Sequence, residues 1–229
     1  MKYKHILGLV FLIILIDQLL KFYIKLNFEY GSSIKVLGLD WFQLYFIENS
    51  GMAFGMKIMD NTTGKTILTL FRLIAVSYGF VWVKKIVDKG TLKNGAKICI
   101  AMILAGAAGN LIDSLFYGLI FDKGLMYDAV RGYYTVDHYD GLAKIAIGNG
   151  YAGLMHGSVV DMLYFPIINT TWPNWVPIVG GQAFTFFDPI FNFADFAISF
   201  GVITLLVFQK SLLTGVFPQK EERNNAQEQ

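Results

Sequence analysis

Cysteine is nearly missing from this chain. The one present, Cys99, lies inside an apolar run, so no internal disulfide can form. It also lacks the basic neighbour that would make it a nucleophile, which leaves packing as its role. The three histidines, His5, His138 and His156, are scattered without the spacing of a metal site. Asp137-His-Tyr-Asp140-Gly141 starts like a calcium loop but has neither the remaining ligand ladder nor the closing Glu. No metal or cofactor is expected. No Gly-x-Ser-x-Gly stretch is present, which argues against a serine hydrolase. Net charge is only +2, so no strong polyanion partner is implied, and no nucleic-acid motif is found.

Apolar side chains are what the sequence has in excess. They make up 55% of 229 residues, with 16% aromatic, too much for an ordinary soluble domain. The expectation is an integral membrane protein, mainly α, forming a single domain with a few spans. Residues 6–26 are the first span. Their apolar run is too long for a signal peptide, carries Asp17, Gln18 and Lys21, and is followed by no cleavage site. Residues 67–87 are the second span, 98–120 the third and 191–208 the fourth. The short loop over 84–97 carries Lys84, Lys85, Lys89, Lys93 and Lys97 against Asp88 alone, which predicts that it is cytoplasmic. The N-terminus and the tail over 210–229 then fall on the same side. The end of that tail, 219–229, is polar and expected to be disordered.

Two stretches do not span. Residues 28–60 are rich in β-formers over 36–47 and predict one or two strands at the membrane surface, with Trp41 and Tyr45 suited to the interface. Residues 121–189 form a long outward loop, in which Trp172-Pro-Asn-Trp175 reads as a membrane-interface segment.

Polar residues stand out against this background. Asp17 and Lys21 are four apart and can pair on one helix face, either snorkelling at an interface or lining a polar cavity. Gly106, Asn110 and Asp113 form one helical stripe, which either glues helices or does chemistry. Asn49 and Gly51 sit in a turn where the amide could orient a substrate main chain or simply make the turn. Asn192 and Asp195 share a face if the fourth helix starts at 191. Asp161 stands alone in an apolar segment. Two such carboxylates, Asp161 and Asp195, cannot both ionise at close range. A pair sharing one proton suits water attack on a peptide carbonyl. The alternative is two structural acids bonded to backbone N–H groups.

Together these motifs resemble lipoprotein signal peptidase (signal peptidase II). The residues that carry it are Asp17-Gln18 and Lys21, Asn49-Ser-Gly51-Met-Ala53-Phe54, Gly109-Asn110-Leu-Ile-Asp113, Val159-Val160-Asp161 and Phe191-Asn192-Phe-Ala194-Asp195. The resemblance implies an aspartic peptidase of the bacterial inner membrane that cuts prolipoproteins before a diacylglyceryl-modified Cys. It implies four transmembrane helices, a small extracytoplasmic β-cradle and an extracytoplasmic helix. Asp161 and Asp195 look like the catalytic dyad, and Asn49, Gly51, Asn110 and Asn192 like substrate-positioning residues. Asp17, Lys21 and Asp113 look like supporting polar residues. Diacylated prolipoproteins and membrane lipids are the expected partners, acting on a monomer whose active site faces the periplasm. The sequence departs from the family pattern twice. Ser114 stands where an Arg usually follows Asp113, with Arg131 a candidate substitute. An insertion over about 119–151 lies between the third and fourth helices and is expected to form a lid or surface layer. Two rival readings are a small proton-coupled transporter and a non-catalytic lipoprotein-binding protein. The first calls for polar residues spread through the midplane. The second would tolerate Asp→Asn at both acids.

Overall fold

A computed structural model describes residues 1–51, 61–136 and 139–213. Met52, Ala53 and Phe54 of the Asn49 motif, Asp137, His138 and the tail from 214 on lie outside the described residues.

Among the described residues, three helices are long and apolar enough to cross a bilayer: α1 (Tyr3–Asn27), α2 (Thr62–Asp88) and α3 (Asn94–Ile120). The fourth predicted span is helical over α4 (Phe193–Val207), 15 residues, followed by the short α5 (Gln209–Leu212). Fifteen residues rise only about 22 Å, short of a ~30 Å hydrocarbon core. The helix also starts two residues later than expected. Phe191 ends a strand and Asn192 precedes the helix, so Asn192 and Asp195 do not share a helical face.

Eight strands are found among the described residues. They are β1 (Ser33–Lys35), β2 (Gln43–Asn49), β3 (Met126–Asp128), β4 (Tyr133–Thr135), β5 (Val159–Tyr164), β6 (Ile168–Thr171), β7 (Ala183–Phe186) and β8 (Ile190–Phe191). The expected strand over 36–47 is interrupted at its start by a 3₁₀ turn, Val36–Gly38, where Leu37 and Gly38 take positive φ. Strands β1, β2, β5 and β8 form one antiparallel sheet in that order, while β3–β4 and β6–β7 are separate hairpins. Among the described residues of 28–60 and 121–189 no α-helix is found, so the extracytoplasmic helix is not in those residues.

Internal contacts divide the chain into two compact units. One comprises Met1–Asp17, Phe71–Gly109 and Ala194–Gln229. In it α3 meets α4 so closely that a Cβ on Gly106 would stand 2.2 Å from the Ala194 carbonyl oxygen. Gly201 returns the contact, 2.7 Å from the Cys99 carbonyl. Small residues allow this approach, as in membrane helix pairs generally. At the other end of this unit the Met1 ammonium donates to Asn94 Oδ1 (2.6 Å), Lys97 Nζ to the Met1 carbonyl (3.3 Å) and Lys93 Nζ to the Ser211 carbonyl (2.6 Å).

The second unit comprises Gln18–Leu70 and Asn110–Phe193 and holds all the sheets. Its core gathers Ile24, Phe28, Phe46, Tyr117, Phe121, Tyr151, Val160 and Met162. Two of these, Phe121 and Tyr151, come from the insertion region, which is therefore part of the core and not only a surface layer. The segment returning toward β5 runs along the end of α3 and satisfies its carbonyls: Ala146 N–H donates to Ile120, Ala152 to Gly118 and Met155 to Leu115. Gly157 passes so close that a Cβ there would meet the Asp113 carbonyl at 2.0 Å. Ser114, buried at this crossing, accepts the Gly157 N–H at its carbonyl and donates its hydroxyl to the Asn110 carbonyl.

Candidate active site

Strand alternation sorts the residues of β2 and β5. Successive side chains point to opposite faces, and cross-strand partners share one. Glu48 faces Val160 and Ile47 faces Asp161. Phe46, Glu48, Val160 and Met162 therefore turn toward the core, and Ile47, Asn49 and Asp161 toward the other side. Asn49 stands diagonal to Asp161 on that side and its Nδ2 donates to Asp161 Oδ2. From β8's end, Asn192 Nδ2 donates to Asp161 Oδ1 at 2.7 Å. The carboxylate of the buried Asp161 thus meets an amide donor on each oxygen. Donors on both oxygens complement the ionised carboxylate.

The turn after β2 fixes the Asn49 amide. Gly51 N–H donates to Asn49 Oδ1 at 2.6 Å, so the amide's oxygen is taken and its nitrogen is left to face Asp161. Gly51 has φ +92, which glycine alone adopts readily. Lys65 of α2 pins the next carbonyl, donating to Ser50 at 2.9 Å.

A second buried cluster joins α1 and α3 in the same unit. Lys21 Nζ lies 2.7 Å from Asp113 Oδ2 and donates to Asn110 Oδ1 at 2.9 Å. Gln18 donates to Asp113 Oδ1 (2.9 Å) and accepts from Tyr117 (3.1 Å). The Asn110–Asp113 stripe therefore works at least as helix glue, and Lys21 supplies a cation beside Asp113. Arg131 lies exposed, 3.5 Å from Asp128 within one turn.

Asp17 and Asp195 belong to the other unit. Asp17 Oδ1 accepts the Ala194 N–H at 2.9 Å, so a buried carboxylate caps the start of α4. A Cβ on Gly109 would fall 2.7 Å from the same carboxylate. Asp195 is in the first turn of α4 and partly exposed.

Two important residues were not singled out from the sequence. Lys25 and Glu48 form a buried ion pair. Lys25 Nζ sits 5.0–5.4 Å from the rings of Phe121, Tyr139 and Tyr151, a cation–π cage. Glu48 also accepts the Leu125 N–H (3.2 Å) and the Tyr139 hydroxyl (3.4 Å). Burial, and then the Glu48 charge, push the Tyr139 and Tyr151 hydroxyls well above the usual phenol range, so both stay protonated; Tyr151 accepts the Ser158 N–H at 2.6 Å. A signal was there to be read. Asp17, Lys21 and Lys25 recur every four residues along an apolar helix, a stripe that predicts buried partners.

Comparison with known proteins agrees with the resemblance. A sequence model of the family described as Signal peptidase (SPase) II matches residues 9–138 and 142–210. A lipoprotein signal peptidase of Porphyromonas gingivalis is 39% identical over 204 residues, spanning 89% of this chain and 82% of that one. One of Amoebophilus asiaticus is 36% identical over 208 residues, 89% of this chain and 76% of that one. Among solved structures, a bacterial membrane enzyme determined by the in meso method at 2.3 Å resolution superposes with a TM-score of 0.50. It is 21% identical and covers 95% of this chain and 93% of its own.

Proposed function

The chain belongs to the signal peptidase II family, a membrane-embedded aspartic protease that processes lipoproteins, and from this we propose how its own residues do the work. Asp161 and Asp195 are the catalytic dyad. Asp161, with an Asn amide on each oxygen, is the ionised member that takes a proton from water. Asp195 is the member that serves the scissile carbonyl oxygen, the pair sharing one proton. The hydrated intermediate then collapses, the departing amine is protonated, and the dyad returns to its starting state. Cleavage falls just before a diacylglyceryl-modified Cys. The observation that carries this reading is the pair of amides on Asp161. One of them, Asn192, lies only three residues ahead of Asp195 in the chain.

The remaining residues support this centre. Asn49 and Gly51 hold the end of β2 as a ledge for an extended substrate, whose carbonyl is then open to water. Asn110 contacts the substrate's polar backbone, while Asp17, Lys21 and Asp113 hold the helices that carry the centre. The substrate's lipid lies on apolar helix faces beside membrane lipids. The enzyme is a monomeric four-span protein of the inner membrane, with α4 and the residues after it forming the fourth crossing. Its termini are cytoplasmic, and the sheet around Asp161 forms a cradle on the periplasmic side. Contacts of Met1 with Asn94 and Lys97, and of Lys93 with Ser211, support a common side for the N-terminus, the lysine-rich loop and the end of α5.

The direct test is incubation of purified protein with a diacylated prolipoprotein, alongside Asp161→Asn and Asp195→Asn. Both variants should fold with unchanged melting temperature and lose at least about a hundredfold in kcat/KM. Full turnover by either one rules out the dyad. Inhibition of the parent enzyme by globomycin, which blocks the family, is a second check.

A further inference from the structure

Between Asp161 and Asp188 the chain runs through 26 residues with no Asp, Glu, Lys, Arg or His. The stretch folds as the β6–β7 hairpin, with register Ile168↔Phe186 through Thr171↔Ala183. Its strands are not packed into the core: all four residues of β6 are exposed. At its tip Trp175 is 81% and Ile178 96% exposed. So large an uncharged apolar projection is costly in water and ordinary in lipid.

Much of the tip's backbone is bonded internally, which is what lipid demands of polar groups that water cannot reach. Trp172 and Gly181 exchange N–H bonds with Gln182 and Trp172 carbonyls, both at 2.9 Å. Val176, Val179, Gly180 and Gln182 N–H groups bond to carbonyls of Pro173, Pro177, Val176 and Val179. Pro173 and Pro177 have no N–H to satisfy, and the Gln182 side chain covers the Ile178 carbonyl at 3.1 Å. Ile178 holds φ +73, a conformation disfavoured for a β-branched residue, at the most exposed point of the tip. Trp172 and Trp175 flank it, as aromatic residues do at a membrane–water interface.

The β3–β4 hairpin makes the contrast. It is shorter, closing between Asp128 and Tyr133, and also exposes an apolar residue, Val130 at 97%. Yet its turn carries Asp128 and Arg131, and the Asp128 carboxylate caps the turn's N–H groups. That is the chemistry of a turn in water.

We propose that the β6–β7 hairpin is a membrane anchor, its tip from Trp172 to Ile178 sunk in the headgroup–acyl boundary of a phospholipid bilayer. The full-length protein carrying Cys99→Ser is reconstituted into nanodiscs of phosphatidylethanolamine and phosphatidylglycerol. Trp175→Cys, Ile178→Cys and Val130→Cys are introduced one at a time and nitroxide-labelled. Power-saturation EPR with oxygen and with a water-soluble nickel chelate then places each label. Labels at 175 and 178 should be open to oxygen and shielded from nickel, and the label at 130 open to nickel. Nickel access at 175 and 178 equal to that at 130 overturns the proposal. So does shielding of both tip labels from both reagents, which would mean burial in protein. Two tip positions keep the test decisive if one substitution disturbs the turn.

Discussion

An asparagine amide is neutral, so what it does depends on which end it presents. At Asn49 the oxygen is occupied by Gly51 N–H, and the nitrogen is therefore aimed at Asp161. At Asn192 the nitrogen does the same on the other carboxylate oxygen. Removing either donor destabilises the charged carboxylate more than the acid, so the group's pKa rises. Asn192→Ala should accordingly move the acidic limb of the pH–rate profile up by about one unit, the value of one hydrogen bond to a charged group. It should also lower kcat more than it raises KM. An unmoved limb would assign Asn192 to packing. Lys25 and Glu48 make a different residue-scale case. Each neutralises the other out of water, and either alone is a buried uncompensated charge. Lys25→Met and Glu48→Met should each cost about 3 kcal/mol of stability in detergent, and the two together should cost less than the two separately. Simple additivity would mean that the pair is not coupled.

At the scale of elements, one strand does two jobs because its side chains alternate. Glu48 enters the core and ties down Leu125 and Tyr139, while its neighbour Asn49 reaches the Asp161 carboxylate on the other face. The inserted segment is thereby wired to the strand that orients Asp161. Deleting residues 122–150 should strip the wall from the Lys25–Glu48 pair and lower the melting temperature in detergent by about 10 °C or more, as loss of several kcal/mol implies. A parent-like melt would return the insertion to the status of a detachable layer. Helix pairing is set by missing side chains. At Gly106 a Cβ would strike the Ala194 carbonyl, a backbone atom that cannot rotate away. Gly106→Val should cost about 3 kcal/mol, whereas Gly8→Val, with nothing within 4 Å, should be neutral.

For the whole molecule the question is which end faces which compartment. Lysines crowd the loop between α2 and α3, and the N-terminus and the Ser211 carbonyl are bonded to that same region. With Cys99→Ser as background, Lys89→Cys should react with a membrane-impermeant maleimide only after the inner membrane is opened. Val130→Cys should react once the outer barrier alone is breached. The reverse pattern would invert the topology.

Three long apolar helices could be read directly, because hydropathy is a local sum along the chain. Asp161 and Asp195 stood out as candidates for a similar reason, since a lone acid in an apolar segment is conspicuous wherever it folds. Other features depended on partners remote in sequence. The start of α4 moved to 193 because β8 pairs with β5 up to Phe191, and Asp17 caps the Ala194 N–H. Strand register turns Glu48 to the core and Asn49 to the Asp161 carboxylate, which no spacing along one segment reveals. Lys25 sits near the end of an apolar helix, and only the fold closes three rings and a carboxylate from distant segments around it. Composition alone decided that this chain lives in a membrane. Only tertiary packing decided which of its charges are sealed together and which meet neutral amides, because a buried charge is tolerated only where the folded chain brings its partner.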